Sequence, residues 1–279
     1  MIPTKKHKCF VLLFSELCCL LAAASNILLL GDSMAELSYN YVSGACPNSK
    51  VVNSGVSSST AAEWAASSTN CPAGGGASCS AATAFAAAPQ TTHVWLSVGG
   101  NDFLDGGCLG DATSLQSLTT TIQNAITTVR AAVGSQVKIV MTGYCIAKMP
   151  LSEFGGNCGT RAALNALNTA VGQATVGLAN VEYVDASYFC GATATSYSDP
   201  AFFLDAIHLN QLGYCTVFTE PGVQTALSCS GGTSVAACTS ATVPQQGGGA
   251  GSSFSHMPLF NILHTIYFCQ ELPLAALGL

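Results

Sequence analysis

Residues 26–36 read NILLLGDSMAE and join an apolar run directly to a polar turn. A buried strand usually ends in a turn rich in Gly, Asn or Pro. Here the run ends in one glycine, one acid and one hydroxyl, and a helix-like pattern follows at once. In open α/β sheets the functional groups gather at the carboxyl ends of the strands. Ser33 is therefore a candidate nucleophile, and its partners must come from elsewhere in the chain.

Apolar runs rich in β-branched residues recur at residues 26–30, 50–53, 93–98, 137–142 and 181–184. Each is short and nearly continuously apolar, as expected of parallel strands covered on both faces. Helix-like spacing of apolar residues follows the third run at residues 112–133 and the fourth at 160–179. Alternating strands and helices imply right-handed crossovers. The sequence therefore predicts an α/β fold, a three-layer α/β/α sandwich around a five-stranded parallel sheet.

The composition excludes one class of partner. Charged residues make up 8% of the 279 residues and the formal net charge is −6. A protein that binds nucleic acid usually carries a basic patch or stripe, and this sequence contains no block of like charge. We therefore expect no nucleic-acid partner.

The first 24 residues resemble a secretory signal peptide. Lysines precede a run at residues 10–21 that is apolar except for Ser15 and Glu16, and three alanines at 22–24 provide small residues for cleavage. The alternatives are a signal anchor or a buried helix, but the run is short for a membrane span. We predict a signal peptide over 1–24, a domain over 25–240 and secretion to the extracellular space.

Residues 241–279 contain a Gly-rich linker followed by an apolar tail. Three interpretations remain open: a lipid-anchor signal, a loose tail, or an error at the 3′ end of the gene sequence. A membrane partner is expected only if this tail is an anchor signal.

The cysteine count agrees with secretion. Of 14 cysteines, ten lie between Cys46 and Cys238, an even number that predicts up to five disulfides of unknown pairing. No C-x-x-C occurs among these ten and no H-E-x-x-H occurs in the chain. We therefore expect no metal and no cofactor.

A nucleophilic serine needs a base, an acid that orients the base, and donors for the oxyanion. After the signal four histidines remain, and His256 and His264 lie in the tail. His93 opens the third strand, so it lies at the end away from the functional edge. His208 is the usable base.

Asp205 precedes His208 by three residues, a spacing that places two side chains on one face of a helical turn. Its carboxylate could hold the imidazole N–H. Asn101 follows the third strand in LSVGGNDFL, where its amide could reach an oxygen bound over Ser33. Asp32 is expected to act as a structural hydrogen-bonding group at the turn.

These blocks together resemble the SGNH (GDSL-type) hydrolases, a family of secreted esterases and lipases. The matching blocks are GDS at 31–33, G-x-N-D at 99–102 and D-x-x-H at 205–208. The resemblance implies a flavodoxin-like sandwich in which Ser33 is the nucleophile, His208 the base and Asp205 its orienting acid. It also implies an oxyanion hole formed by the Ser33 N–H, the Asn101 amide and one more backbone N–H.

The fourth family block departs from the pattern. The family usually has N-x-x-x-x-G after the second strand, and the position that matches its glycine is Ser58. A serine keeps the N–H but loses the freedom of glycine at positive φ. Either Ser58 is strained, or the loop shifts and Gly55 supplies the donor.

The resemblance implies hydrolysis of a carboxylic ester through an acyl-enzyme. The substrate would be a small-molecule, polysaccharide or lipid ester, with acetylated carbohydrate or a short-chain acyl ester favoured. The alternatives are a lipase or phospholipase, an acyltransferase that uses the same site, and a catalytically weak or inactive binding protein.

Overall fold

The structure is a computed structural model, and it describes residues 25–108, 111–146, 158, 160–193, 195–229 and 231–240. The chain divides into two units, Met1–Val243 and Pro244–Leu279, and every described residue lies in the first. The predicted signal peptide and tail lie outside the described residues. Within the described part, no helix combines the length and the apolar character needed to cross a bilayer.

A parallel sheet forms the centre of the described domain. Its strands are β1 (Asn26–Gly31), β2 (Lys50–Gly55), β3 (His93–Ser97), β4 (Lys138–Thr142) and β5 (Val181–Val184). The five strands lie in the order β2-β1-β3-β4-β5, and every pairing is parallel. This is the flavodoxin-like order of doubly wound folds, whose ligands bind at the switch point between β1 and β3. The predicted fold class is confirmed.

The helices are α1 (Ser33–Ala45), α2 (Ala61–Ala65), α3 (Ala81–Ala87), α4 (Gly100–Asp105), α5 (Ala112–Val133), α6 (Arg161–Thr175), α7 (Gln211–Thr219), α8 (Pro221–Ala226) and α9 (Val235–Ser240). A single 3₁₀ turn among the described residues spans Pro200–Phe202. Helix α6 ends four residues before the predicted limit at 179. Val176 is extended and Gly177 has a φ of 78°, so the chain turns toward β5 there.

The two helical layers receive alternate residues of each strand. Leu28 and Leu30 pack into a core with residues of α5 and α6. Ile27 and Leu29 pack on the opposite face with residues of α1 and α7. All four side chains are at most 1% exposed, which explains why β1 is continuously apolar. Burial of both faces makes the sheet a rigid base for the loops at its carboxyl edge.

Disulfides join distant parts of the described chain. The ten cysteines between Cys46 and Cys238 form five bridges, which are Cys46–Cys229, Cys71–Cys79, Cys108–Cys158, Cys145–Cys190 and Cys215–Cys238. The predicted number of disulfides is confirmed. The Cys71–Cys79 bridge closes the loop between α2 and α3, in a low-complexity region where few apolar residues could order the chain.

Candidate active site

The turn after β1 places Ser33 at the sheet edge. Gly31 has a φ of +121°, and a Cβ on it would lie 1.8 Å from the carbonyl oxygen of Ser97. Only glycine fits this close approach. The next N–H, that of Asp32, donates to the same carbonyl at 2.8 Å. Asp32 then caps α1, whose first residue is Ser33, so the strand ends sharply and the serine faces a cavity.

His208 lies between Ser33 and Asp205. Its Nε2 is 2.9 Å from Ser33 Oγ, and its Nδ1 is 2.7 Å from Asp205 Oδ2. The structure therefore brings together the three side chains that the sequence singled out. Ser33 and His208 lie near the two ends of the domain, 175 residues apart in the sequence.

The Asp205–His208 pair adopts a different backbone from the one predicted. We expected a helical turn, and this is wrong because the pair lies in an irregular loop closed by a bridge between Phe203 and Leu209. Asp205 Oδ1 accepts the N–H of Ile207 at 2.9 Å and of His208 at 2.7 Å. The carboxylate thus takes up the N–H groups that a helix would direct to backbone carbonyls.

These hydrogen bonds keep Asp205 ionised. Burial by itself would raise the pKa of its carboxyl. The bonds from the His208 ring and from the two backbone N–H groups outweigh burial and hold the pKa at about 2. A carboxylate that stays charged at neutral pH can orient the imidazole and stabilise its protonated form.

A second carboxylate, that of Asp32, directly precedes Ser33 in the chain. Its Oδ1 accepts the Ser97 hydroxyl at 2.9 Å and the Met34 N–H at 3.0 Å. Its Oδ2 accepts the Tyr144 hydroxyl at 3.0 Å. Burial raises the pKa of Asp32 to about 6 although all three donors act to lower it. Asp32 is thus the structural hydrogen-bonding group that the sequence suggested.

Tyr144 connects two parts of the site. Its hydroxyl donates to Asp32 and also accepts the Gly100 N–H at 3.1 Å. The turn that carries Ser33 and the start of α4, the helix that carries Asn101, are therefore joined by one oxygen atom. Sequence reasoning missed Tyr144, although its position two residues after β4, at the functional edge of the sheet, could have drawn attention to it.

The G-x-N-D block at 99–102 holds the neighbouring loop in place. One hydrogen of the Asn101 amide is donated to the Ser59 carbonyl oxygen at 2.8 Å. Asp102 accepts the Ala61 N–H at 2.7 Å, at the start of α2. Asn101 also lines the cavity that contains Ser33. The second hydrogen of its amide remains for a group bound there.

Ser58 adopts the conformation that the family glycine would adopt easily. Its φ is 63°, in the left-handed region, and its N–H finds no acceptor among the described residues. Gly55 is instead the last residue of β2, where a Cβ would lie 2.3 Å from the Glu36 nitrogen of α1. The Gly55 N–H already donates to Asn53 Oδ1 at 3.0 Å. Of the two candidates, Ser58 has the free donor.

The cavity beside Ser33 is small and mostly apolar. It has a volume of about 50 Å³. Its polar side chains are those of Asp32, Ser33, Asn101, Tyr144 and His208. Its apolar lining comes from Met34, Phe103, Leu104, Cys145, Leu164, Leu167 and Ile207.

A group of potential metal ligands lies outside this cavity. Glu63, Cys71 and Cys79 have ligand atoms within 4.8 Å of one another. Both sulfurs are joined in a disulfide, so the group has no thiolate for a metal.

Comparisons with known proteins bear on the family and the fold of the chain. Residues 29–215 match the GDSL-like Lipase/Acylhydrolase family. No curated protein sequence matches the chain. A carbohydrate acetylesterase family member from Sinorhizobium meliloti is similar in structure, with a TM-score of 0.52, 14% identity and coverage of 73% of this chain and 99% of that one. The aryl esterase of M. smegmatis has a TM-score of 0.48, with 15% identity and coverage of 74% and 100%.

Identities this low indicate a shared fold and nothing finer. The family match carries more weight, because it covers well over half of the chain and includes all three sequence blocks. The chain belongs to the GDSL-like lipase/acylhydrolase family, a family of carboxylic ester hydrolases.

Proposed function

We propose that this protein is a secreted serine esterase that cleaves short-chain acyl esters, with acetylated carbohydrate as the favoured substrate. The observation that carries the proposal is the hydrogen-bonded series from Ser33 through His208 to Asp205, with contacts of 2.9 and 2.7 Å. A nucleophile, a base and an orienting acid at hydrogen-bond distance are what acyl transfer to a serine requires.

The proposed reaction has two halves. Ser33 Oγ attacks the ester carbonyl while His208 Nε2 takes the hydroxyl proton, and the same proton then passes to the departing alcohol. A water molecule activated by His208 attacks the resulting acyl-enzyme and releases the acid. Asp205 remains ionised and supports the imidazolium in both halves, in line with the low pKa of its carboxyl.

Three donors are available for the oxyanion. The N–H groups of Ser33 and Ser58 have no acceptor among the described residues. The Asn101 amide keeps one hydrogen free after its bond to Ser59. Loss of one such donor typically lowers the rate by about 10²–10³-fold. Because the N–H of Ser58 is unused, the serine at the glycine position favours an active enzyme over an inactive binding protein.

The size of the cavity favours a short acyl group. Its volume of about 50 Å³ is well below the roughly 150 Å³ of an engineered apolar cavity that binds benzene. An acetyl or propionyl group matches this space better than a long chain, which favours an esterase over a lipase or phospholipase.

Secretion is part of the proposal. Residues 1–24 would act as a signal peptide, residues 25–240 as the catalytic domain, and 241–279 as a tail. Five disulfides in the described domain support it, because such bonds persist in oxidising compartments outside the cytosol.

The test compares p-nitrophenyl acetate, butyrate and octanoate as substrates of the protein secreted with its disulfides intact. We expect turnover to be fastest on acetate and to vanish in Ser33→Ala. The matched control is Ser43→Ala on the same helix, which should leave the rate unchanged. Turnover that survives in Ser33→Ala would refute the proposal, and a maximum on octanoate would favour a lipase. A free sugar added as an acyl acceptor distinguishes a transferase, which would form the acylated sugar.

A further inference from the structure

A second cleft lies on the outer side of α6, and it is much larger than the catalytic cavity. Its volume is about 390 Å³, against about 50 Å³ beside Ser33. Pockets that bind small molecules usually measure about 300–1,000 Å³. The cleft shares no lining residue with the catalytic cavity, so the proposed reaction does not account for it.

One wall of the cleft is a row of neutral polar side chains on α6. Asn165, Thr169 and Gln173 are exposed and follow each other at intervals of four residues, so they lie one above another along the helix. At 1.5 Å per residue the row is about 12 Å long. The amide groups of Asn165 and Gln173 form no hydrogen bond with any described residue, which leaves their donors and acceptors free for a ligand.

The opposite wall comes from the segment that follows β5. Tyr188 is 57% exposed there, and an exposed tyrosine offers both an apolar ring and a hydroxyl. Asp185 is also exposed, and its Oδ1 accepts the N–H of Ser187 at 2.8 Å. Amides, a carboxylate and an aromatic ring together suit a ligand with many hydroxyl groups and apolar C–H faces.

The charge of the cleft narrows the class of ligand. Asp185 is the one charged residue in its lining, and neither lysine nor arginine contributes to it. Phosphates and uronic acids need a cation or several N–H donors to offset their charge, so this lining suits a neutral ligand.

Helix α6 is the wall between the two sites. Its Leu164 and Leu167 line the catalytic cavity, whereas Asn165 and Gln173 line the cleft. A chain that extends from an ester at Ser33 can therefore reach the cleft by passing over one helix. We infer that this cleft binds unmodified sugar units of the neutral polysaccharide whose ester groups Ser33 cleaves. This inference rests on the proposed function.

The test separates binding from catalysis. Full-length Ser33→Ala protein is titrated by calorimetry with xylohexaose, cellohexaose and mannohexaose, and with hexagalacturonate as an acidic probe. We expect at least one neutral hexasaccharide to bind and hexagalacturonate to bind at least tenfold more weakly. Adding Asn165→Ala, Gln173→Ala and Tyr188→Ala should weaken binding of the neutral probe at least tenfold.

A matched control uses a similar helix. Gln116 and Asn124 are exposed amides eight residues apart on α5, the same spacing as Asn165 and Gln173 on α6. Replacing both with alanine should leave binding unchanged. If none of the neutral probes binds, or if the cleft and control variants weaken binding equally, the inference is wrong.

A kinetic measurement keeps this inference distinct from the proposed function. In the enzyme with Ser33 intact, the rate on acetylated xylan is divided by the rate on p-nitrophenyl acetate. We expect the cleft substitutions to lower this ratio about tenfold. An unchanged ratio in an active enzyme refutes the cleft alone. Failure of the unsubstituted protein to hydrolyse p-nitrophenyl acetate counts against the esterase, while the calorimetric result still decides whether the cleft binds sugar.

Discussion

Replacing Asp32 by asparagine should stabilise the protein at neutral pH. Burial raises the pKa of this carboxyl from 3.8 to about 6, a shift of about 2 units that corresponds to about 3 kcal/mol. The shift means that the folded protein holds the neutral form of Asp32 more favourably than the carboxylate. Asparagine has nearly the same shape and carries no charge, but its amide nitrogen cannot accept the Tyr144 hydroxyl as Oδ2 of Asp32 does. Allowing about 1 kcal/mol for that lost bond, we expect Asp32→Asn to raise the free energy of unfolding by about 2 kcal/mol at pH 7.

The direction of this pKa shift determines how the stability difference between the two proteins changes with pH. Because the folded pKa of Asp32 exceeds the unfolded value, the folded protein takes up the proton first as the pH falls below about 6. The destabilising effect of the carboxylate therefore disappears between about pH 6 and 4, and the variant should lose most of its advantage, to below about 1 kcal/mol at pH 4.

Urea unfolding with the disulfides intact measures the free energy of unfolding at pH 7 and at pH 4. Asp111→Asn is the control. Asp111 also caps a helix, α5, but its side chain is exposed. Its pKa is lowered by hydrogen bonds from the Ser114 N–H and hydroxyl, so its replacement should not stabilise at pH 7. Equal stability of Asp32→Asn and the unsubstituted protein at pH 7, or an advantage that persists at pH 4, would refute the reasoning.

Substitutions at three further positions test the site. Tyr144→Phe removes the hydroxyl that joins Asp32 to Gly100, and we expect kcat on p-nitrophenyl acetate to fall about tenfold, whereas Tyr39→Phe on α1 should have no effect. Ser58→Gly should retain full kcat because glycine adopts a φ of 63° easily, whereas Ser58→Val should lose about 10²-fold as its N–H moves. Leu104→Ala should enlarge the cavity and raise the butyrate-to-acetate ratio of kcat/KM about tenfold, because each buried methylene contributes about 0.8 kcal/mol. An unchanged ratio would contradict the placement of the acyl group beside Leu104.

Periodicity predicted most of the fold. Four of the five strands lie within one residue of their predicted limits, and β2 extends two residues further, to Gly55. Helix α5 matches its prediction at both ends, because an amphipathic helix capped by Asp111 and ended by Gly134 carries all of its signals locally. Most of the disulfide pairing could not be predicted, since four of the five bridges join segments at least 23 residues apart that only the fold brings together.

The side chains that meet at the candidate site were predictable because each lies in a short block at the end of a strand or in a tight loop. The backbone of Asp205 was not, because side-chain and helical hydrogen bonds compete for the same N–H groups. Tyr144 was missed for a different reason. Its partners Asp32 and Gly100 lie on other segments, and no spacing within its own segment indicates that contact.

Gly31 matters for any survey that scores many substitutions by activity. Every side chain at this position would collide with the Ser97 carbonyl of the adjacent strand, so β1 and β3 would have to separate. All such substitutions would abolish activity as completely as replacement of Ser33, and an activity screen alone would rank the two positions together. Measuring the amount of folded protein in parallel would separate them, since Ser33→Ala should accumulate normally and Gly31→Ala should not.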